Sequence, residues 1–155
     1  MKLIPYDKFK IKTALSPTEV AQRVRSCTGE KKVFSFDPSH EFGGYVHEKG
    51  FEITKNISYR NSFLPVIEGR IEQARKGSLV TIAMRLHFLT MLIMVMLFSC
   101  VGLVGIAMLT NMDDFSLPVL IPFGVLLFLV VLVLAGFWSE APKQKRRLIA
   151  LLKDK

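Results

Sequence analysis

Charge is what large parts of this chain lack. From Leu86 to Met112 there is no Asp, Glu, Lys or Arg, and from Phe115 to Ser139 there is none either. Each run exceeds the roughly 20 residues an α-helix needs to cross about 30 Å of hydrocarbon. The sequence therefore predicts two membrane spans, at about residues 87–110 and 116–138. No ionisable residue lies deep in either span, which argues against the ion or proton path of an ordinary channel or transporter. Cysteine is scarce: Cys27 and Cys100 fall in different predicted compartments and make no disulfide framework. The N-terminal "MKLIPYDKFK" lacks the apolar stretch of a cleavable signal peptide, so insertion is expected to begin at the internal hairpin. Catalytic signatures are missing too, with no Gly-x-Ser-x-Gly, Walker loop or Rossmann glycine fingerprint. His40 and His47 have no Cys or further His at metal-ligand spacing, His87 sits at a span edge, and Cys27 falls on the apolar face of a predicted helix. The expectation is no enzyme, no metal and no cofactor.

The charge that is present is unevenly placed. Residues 1–85 hold 15 Lys and Arg against 9 Asp and Glu, and residues 140–155 hold 6 against 2. The link "NMDDFSLP" between the runs carries two acids and no base. Positive residues stay on the cytoplasmic side, so both termini are expected in the cytoplasm. The net charge of +8 is read as topology and attraction to anionic lipid, not as nucleic-acid binding.

Residues 1–85 read as a small α+β domain. "KFKIKTAL" alternates lysines with Phe9 and Ile11 at the period of a half-buried strand. In "SPTEVAQRVRSCTG", Ser16 with Glu19 three residues on forms a capping box, and Pro17 suits the first helical position. "KVFSFDPSHEF" reads as a short strand and loop, "HEKG" as a hairpin turn, and Phe51 to Tyr59 as one alternating strand. A corner at 60–62, a strand with Val66, Ile67 and Ile71, a turn at "ARKGS" and a last strand "LVTIAMRL" complete an antiparallel meander. Residues 86–138 form the transmembrane hairpin. Residues 139–155 form a basic amphipathic helix, with Leu148, Ile149, Leu151 and Leu152 as its apolar stripe. That helix has two places to lie, on the bilayer or on the sheet, and the uncovered area of a five-stranded sheet favours the second.

Three groups of residues are candidates for contact. Arg85, Trp138, Lys143, Lys145, Arg146 and Arg147 flank the spans, where basic side chains meet anionic lipid and an indole anchors at the interface. Ser99, Gly102 and Gly105 put small residues three apart on the first span, for packing on the second span or on another copy. Tyr59, Arg60 and Asn61 at the corner read either as a turn held by a hydrogen-bonded Asn or as a surface for a partner, a headgroup or a small ligand. "FEITKNISYRNSFLPVIEGRI" followed by "GSLVTIAMRLHF" at the entry to the hairpin resembles a group of uncharacterised small bacterial membrane proteins with a β-rich cytoplasmic domain. The resemblance implies architecture and bacterial origin, and no mechanism. The expected function is a non-enzymatic accessory or scaffold subunit of the bacterial inner membrane that presents a small interaction module, with anionic lipid and a homo- or hetero-oligomer through its spans as the expected partners. The alternative is a small-ligand sensor domain driving an oligomerising hairpin.

Overall fold

A computed structural model describes residues 4–29, 40–59, 61–110 and 117–153. The first strand, β1 (Tyr6–Thr13), leads into helix α1 (Pro17–Ser26). The helix starts where the sequence places it. Ser16 Oγ accepts from the Glu19 N–H at 3.3 Å, and Glu19 Oε2 accepts from the Ser16 N–H at 2.7 Å. The bonds from Ser16 hold the Glu19 carboxyl below its usual pKa. Val20 and Val24 are fully buried on one face. The remaining strands are β2 (Thr28–Gly29), β3 (Phe42–His47), β4 (Gly50–Lys55), β5 (Val66–Gln73) and β6 (Ser78–Arg85). The sheet order is β1-β6-β5-β4-β3-β2. All pairs are antiparallel except β2 with β3. This is the α+β class the periodicities imply.

Two details differ from the sequence reading. The strand from Phe51 ends at Lys55 and does not reach Tyr59. Asn56 diverts the chain: its N–H bonds Glu41 O and its amide Nδ2 donates to His40 O at 2.9 Å. The pair of β2 with β3 was not anticipated, because two residues carry no periodicity. The strand predicted in "KVFSFDPSHEF" falls mostly outside the described residues.

One face of the sheet is the core. Ile11, Val80, Ile82, Met84, Ile67, Ile71, Phe51 and Ile53 all lie there and are buried. Gly69 sits among them, and the Phe51 ring fills the space its side chain would need. Helix α1 covers part of this face. The rest is covered by helix α4 (Ala141–Lys153). Leu148 and Leu152 are fully buried, each contributing about 1.5–3 kcal/mol of burial. The last carbonyls of a helix have no partner within it. Here Thr13 Oγ1 donates to Leu152 O at 2.7 Å and Arg23 Nη1 to Leu151 O at 3.2 Å. Lys145 pairs with Asp7 at 2.8 Å and Arg147 with Glu41 at 2.9 Å. The C-terminal helix therefore packs on the sheet. The opposite face is open, with a trough of about 330 Å³ between Lys8 and Lys10 on one side and Glu68, Arg70 and Glu72 on the other.

Between β6 and α4 stand helices α2 (Phe88–Thr110) and α3 (Leu120–Trp138), the latter preceded by a 3₁₀ turn at Leu117–Val119. Both are long and apolar enough to cross a membrane. Among their shielded positions, Met94, Phe98, Val101, Gly105 and Met108 on α2 and Pro122, Leu126, Leu129 and Val133 on α3 follow alternating steps of four and three; Gly102, Leu134 and Phe137 are shielded as well, and Phe63 covers Gly136. That spacing suits two helices packed side by side, and Gly105 of α2 meets Pro122 and Phe123 of α3. Elsewhere their surface is apolar and bare, including Leu92, Met96, Leu103, Ile106, Leu127 and Phe128. A core helix would be enclosed, whereas helices apolar all round and exposed suit a hydrocarbon solvent.

Candidate functional site

The loop joining β4 to β5 holds the sheet to both long helices. Asn61 Oδ1 accepts from the Phe63 N–H at 3.0 Å, closing a turn. Its Nδ2 donates to Gly136 O at 3.0 Å, on the last turns of α3. Phe63 lies over Gly136, with its Cδ2 2.8 Å from where a Cβ would be. On the other side Thr90 Oγ1, in the first turn of α2, donates to Ser62 O at 3.3 Å. A single loop thus grips the start of α2 and the end of α3.

Beside this clasp the chain buries a carboxylate. Glu140 stands in the tight turn between α3 and α4, with its side chain 3% exposed. Lys143 Nζ donates to its Oε1 at 2.7 Å, and Lys55, at the end of β4, lies 3.9 Å from Oε2. The Tyr59 hydroxyl donates to the same carboxylate. Burial pushes the Glu140 carboxyl up, but Lys143, the Tyr59 hydroxyl and the charge of Lys55 together pull its pKa below the ordinary 4.5. The same contact raises Lys143, through its bond to Glu140, and raises the Tyr59 phenol. One turn along α4, Gln144 is 1% exposed. Chemically this is a site of cohesion: a buried anion met by two cations from different elements.

The sequence candidates distribute as follows. Tyr59 and Asn61 are at this junction, and Arg60 lies outside the described residues. Lys143 is there too, paired with Glu140. Lys145 caps the Phe9 ring, its Nζ 4.5 Å from the centroid, besides its bond to Asp7. Arg147 holds Glu41 through both carboxylate oxygens, and Arg146 is exposed. Arg85 is on the open sheet face, 3.3 Å from Glu68 and 4.0 Å from Glu52. These two acids face each other across β4 and β5, so Arg85 offsets a like-charge pair. Trp138 packs edge-on against Phe137. On α2, Gly105 meets Pro122 and Phe123, a Cβ at Gly102 would touch nothing within 4 Å, and Ser99 bonds back to Val95 O of its own helix. Among the described residues no three His, Cys, Asp or Glu side chains gather to hold a metal. Sequence reading missed Glu140, Gln144 and Lys55. The Glu140–Lys143 spacing of three was a visible signal of a local pair, but nothing in it told of burial.

Compared with known proteins, the chain matches no family model, no curated protein and no solved structure.

Acid should loosen the junction. A carboxyl whose folded pKa lies below its unfolded value stabilises fully above the unfolded value and loses that contribution as pH falls through the folded one. Thermal melts of the detergent-solubilised protein should therefore show a loss beginning near pH 4.5. Glu140→Gln should flatten that part of the profile and cost about 1 kcal/mol at pH 7. An unchanged acid limb in the variant would assign it to other carboxylates.

Proposed function

We propose that this is a non-enzymatic protein of the bacterial inner membrane whose small cytoplasmic domain is an interaction module for an accessory or scaffold role. The observation that carries the reading is the bare apolar surface of α2 and α3 joined without a linker to a folded domain. Lipid suits the first, and the loop gripping both helices fixes the second at the bilayer. Charge asymmetry supports cytoplasmic termini. The sheet face left uncovered by α1 and α4 is the surface such a module would offer a partner. Anionic lipid is the expected neighbour of exposed Arg146 and of the other bases near the spans.

A second reading, a small-ligand sensor driving the hairpin, is favoured by the junction itself. Any shift of Tyr59 or Asn61 would reach α3 directly.

Topology is tested first. In a background with Cys27 and Cys100 changed to serine, Asp113→Cys or Asp114→Cys should react with an impermeant maleimide added to intact cells. Labelling only after the cells are opened would reverse the orientation. Purification from native membranes in mild detergent should then bring down a stoichiometric partner, and its loss on charge reversal of Lys10 and Arg70 would place it on the open face. Specific, saturable binding of a metabolite to a protein that purifies alone would instead support the sensor.

A further inference from the structure

The open face of the sheet carries its charge in columns. On β1, Lys8, Lys10 and Lys12 alternate with inward side chains and are exposed. Two strands over, β5 presents Glu68, Arg70 and Glu72. Between them, at matching levels, β6 presents the shorter Ala83, Thr81 and Leu79. Short residues between long ones make the trough of about 330 Å³, with walls rising from backbones roughly 10 Å apart. Its charges do not cancel. Lys8, Lys10, Lys12 and Arg70 make no hydrogen bond or ion pair among the described residues, whereas Glu68 is already held by Arg85. Glu72 alone is left to face four cations.

Resting on the reading of the domain as an interaction module, we infer that this trough seats an extended partner peptide with acidic side chains at alternate positions. In an extended chain, side chains on one edge recur every 6.8 Å or so, which is also the step of the lysine column. Three acids on one edge of the peptide therefore meet Lys8, Lys10 and Lys12 in register. Its other edge runs along Glu68, Arg70 and Glu72, where the alternating sign suits small neutral side chains. Single-stranded nucleic acid fits less well. Its phosphates would meet Glu72, and the floor of Thr81 and Ala83 offers no ring on which a base could stack. An anionic bilayer also fits less well. Lys12 lies roughly 20 Å along the strands from the level of Arg85, where β6 leads into α2. A membrane touching that end meets the first lysine before the last.

The probe is a fluorescent peptide of four Glu-Thr repeats, titrated with the full chain in uncharged detergent. Its isomer, four Glu followed by four Thr, has the same charge and the wrong period. The alternating peptide should bind saturably and at least about tenfold more tightly, or about 1.4 kcal/mol. Equal affinities would reduce the effect to bulk charge and overturn the inference. Thr81→Phe raises the floor without touching any charge, at an exposed strand position that accepts an aromatic residue. It should weaken the alternating peptide at least about tenfold, as should Lys8→Gln combined with Lys12→Gln, a second variant made entirely at exposed positions. Undiminished binding in either would overturn the trough as the seat. So would displacement of the peptide by a thymidine octanucleotide or by phosphatidylglycerol vesicles that bind more tightly. A native partner that still copurifies with both variants would leave the interaction module standing and overturn the trough alone.

Discussion

Alanine at both Leu148 and Leu152 should unfold the sheet domain and leave the two long helices in the membrane. Each leucine is fully buried against the inner face, and a buried Leu→Ala costs about 2–5 kcal/mol. The pair would remove up to about 10 kcal/mol from a total stability of about 5–15. They sit one turn apart and share neighbours, so the sum is an upper figure. In the proposed orientation, trypsin added to inverted membrane vesicles reads the result. The unaltered domain should resist, each single variant should be nicked slowly, and the double variant should lose residues before β6 while keeping a hairpin fragment. Ile149→Ala, at a half-buried position, is the control and should behave nearly as the parent does. Equal resistance in the double variant would mean that α4 is not part of the core.

The second large effect is expected at Gly77. Its φ of +82° is left-handed, and a Cβ there would run into the carbonyl oxygen of Thr13 and stand 2.7 Å from Ala14 Cα. Those are backbone atoms at the end of β1 and just beyond it, and they cannot rotate away. The turn also depends on the local bond from the Ala74 N–H to Gly77 O at 3.0 Å. A left-handed conformation alone costs a non-glycine residue about 1–2 kcal/mol, and displacing the neighbouring chain adds to it. Gly77→Val should therefore lower stability by about 3 kcal/mol or more, or abolish accumulation in cells. Gly102→Val makes the comparison, since nothing stands within 4 Å of that Cβ. Its melting point should stay within about 2 °C of the parent, because a surface substitution is worth about 0.5 kcal/mol or less.

The elements most legible in the sequence were those set by local chemistry. The Ser16–Glu19 box, the alternation in β1 and β6, the "HEKG" turn and the uncharged runs each depend on neighbours a few residues away. What escaped was set at long range. Asn56 ends β4 early because a carbonyl at His40 accepts its side chain, a partner the strand pattern cannot reveal. Lys145 and Arg147 look like a basic cluster beside a span, yet their carboxylates, Asp7 and Glu41, are 138 and 106 residues away. At the corner, the bond of Asn61 to the Phe63 N–H is local and legible, whereas its bond to Gly136 O spans 75 residues. In the long helices the apolar seam was hidden because the outward positions are apolar as well. Only the small residues stood out, and of those Gly105 alone meets the neighbouring helix.

Because α4 is reached only after α3, the domain's core is assembled from two pieces of chain separated by the hairpin. A ribosome delivers the six strands and α1 well before it delivers Leu148 and Leu152. During that interval the sheet's apolar face waits half-clad, a state open to chaperones and proteases. Closure of the domain therefore requires the hairpin to be complete and folded back, and a chain halted before α4 keeps that apolar face uncovered.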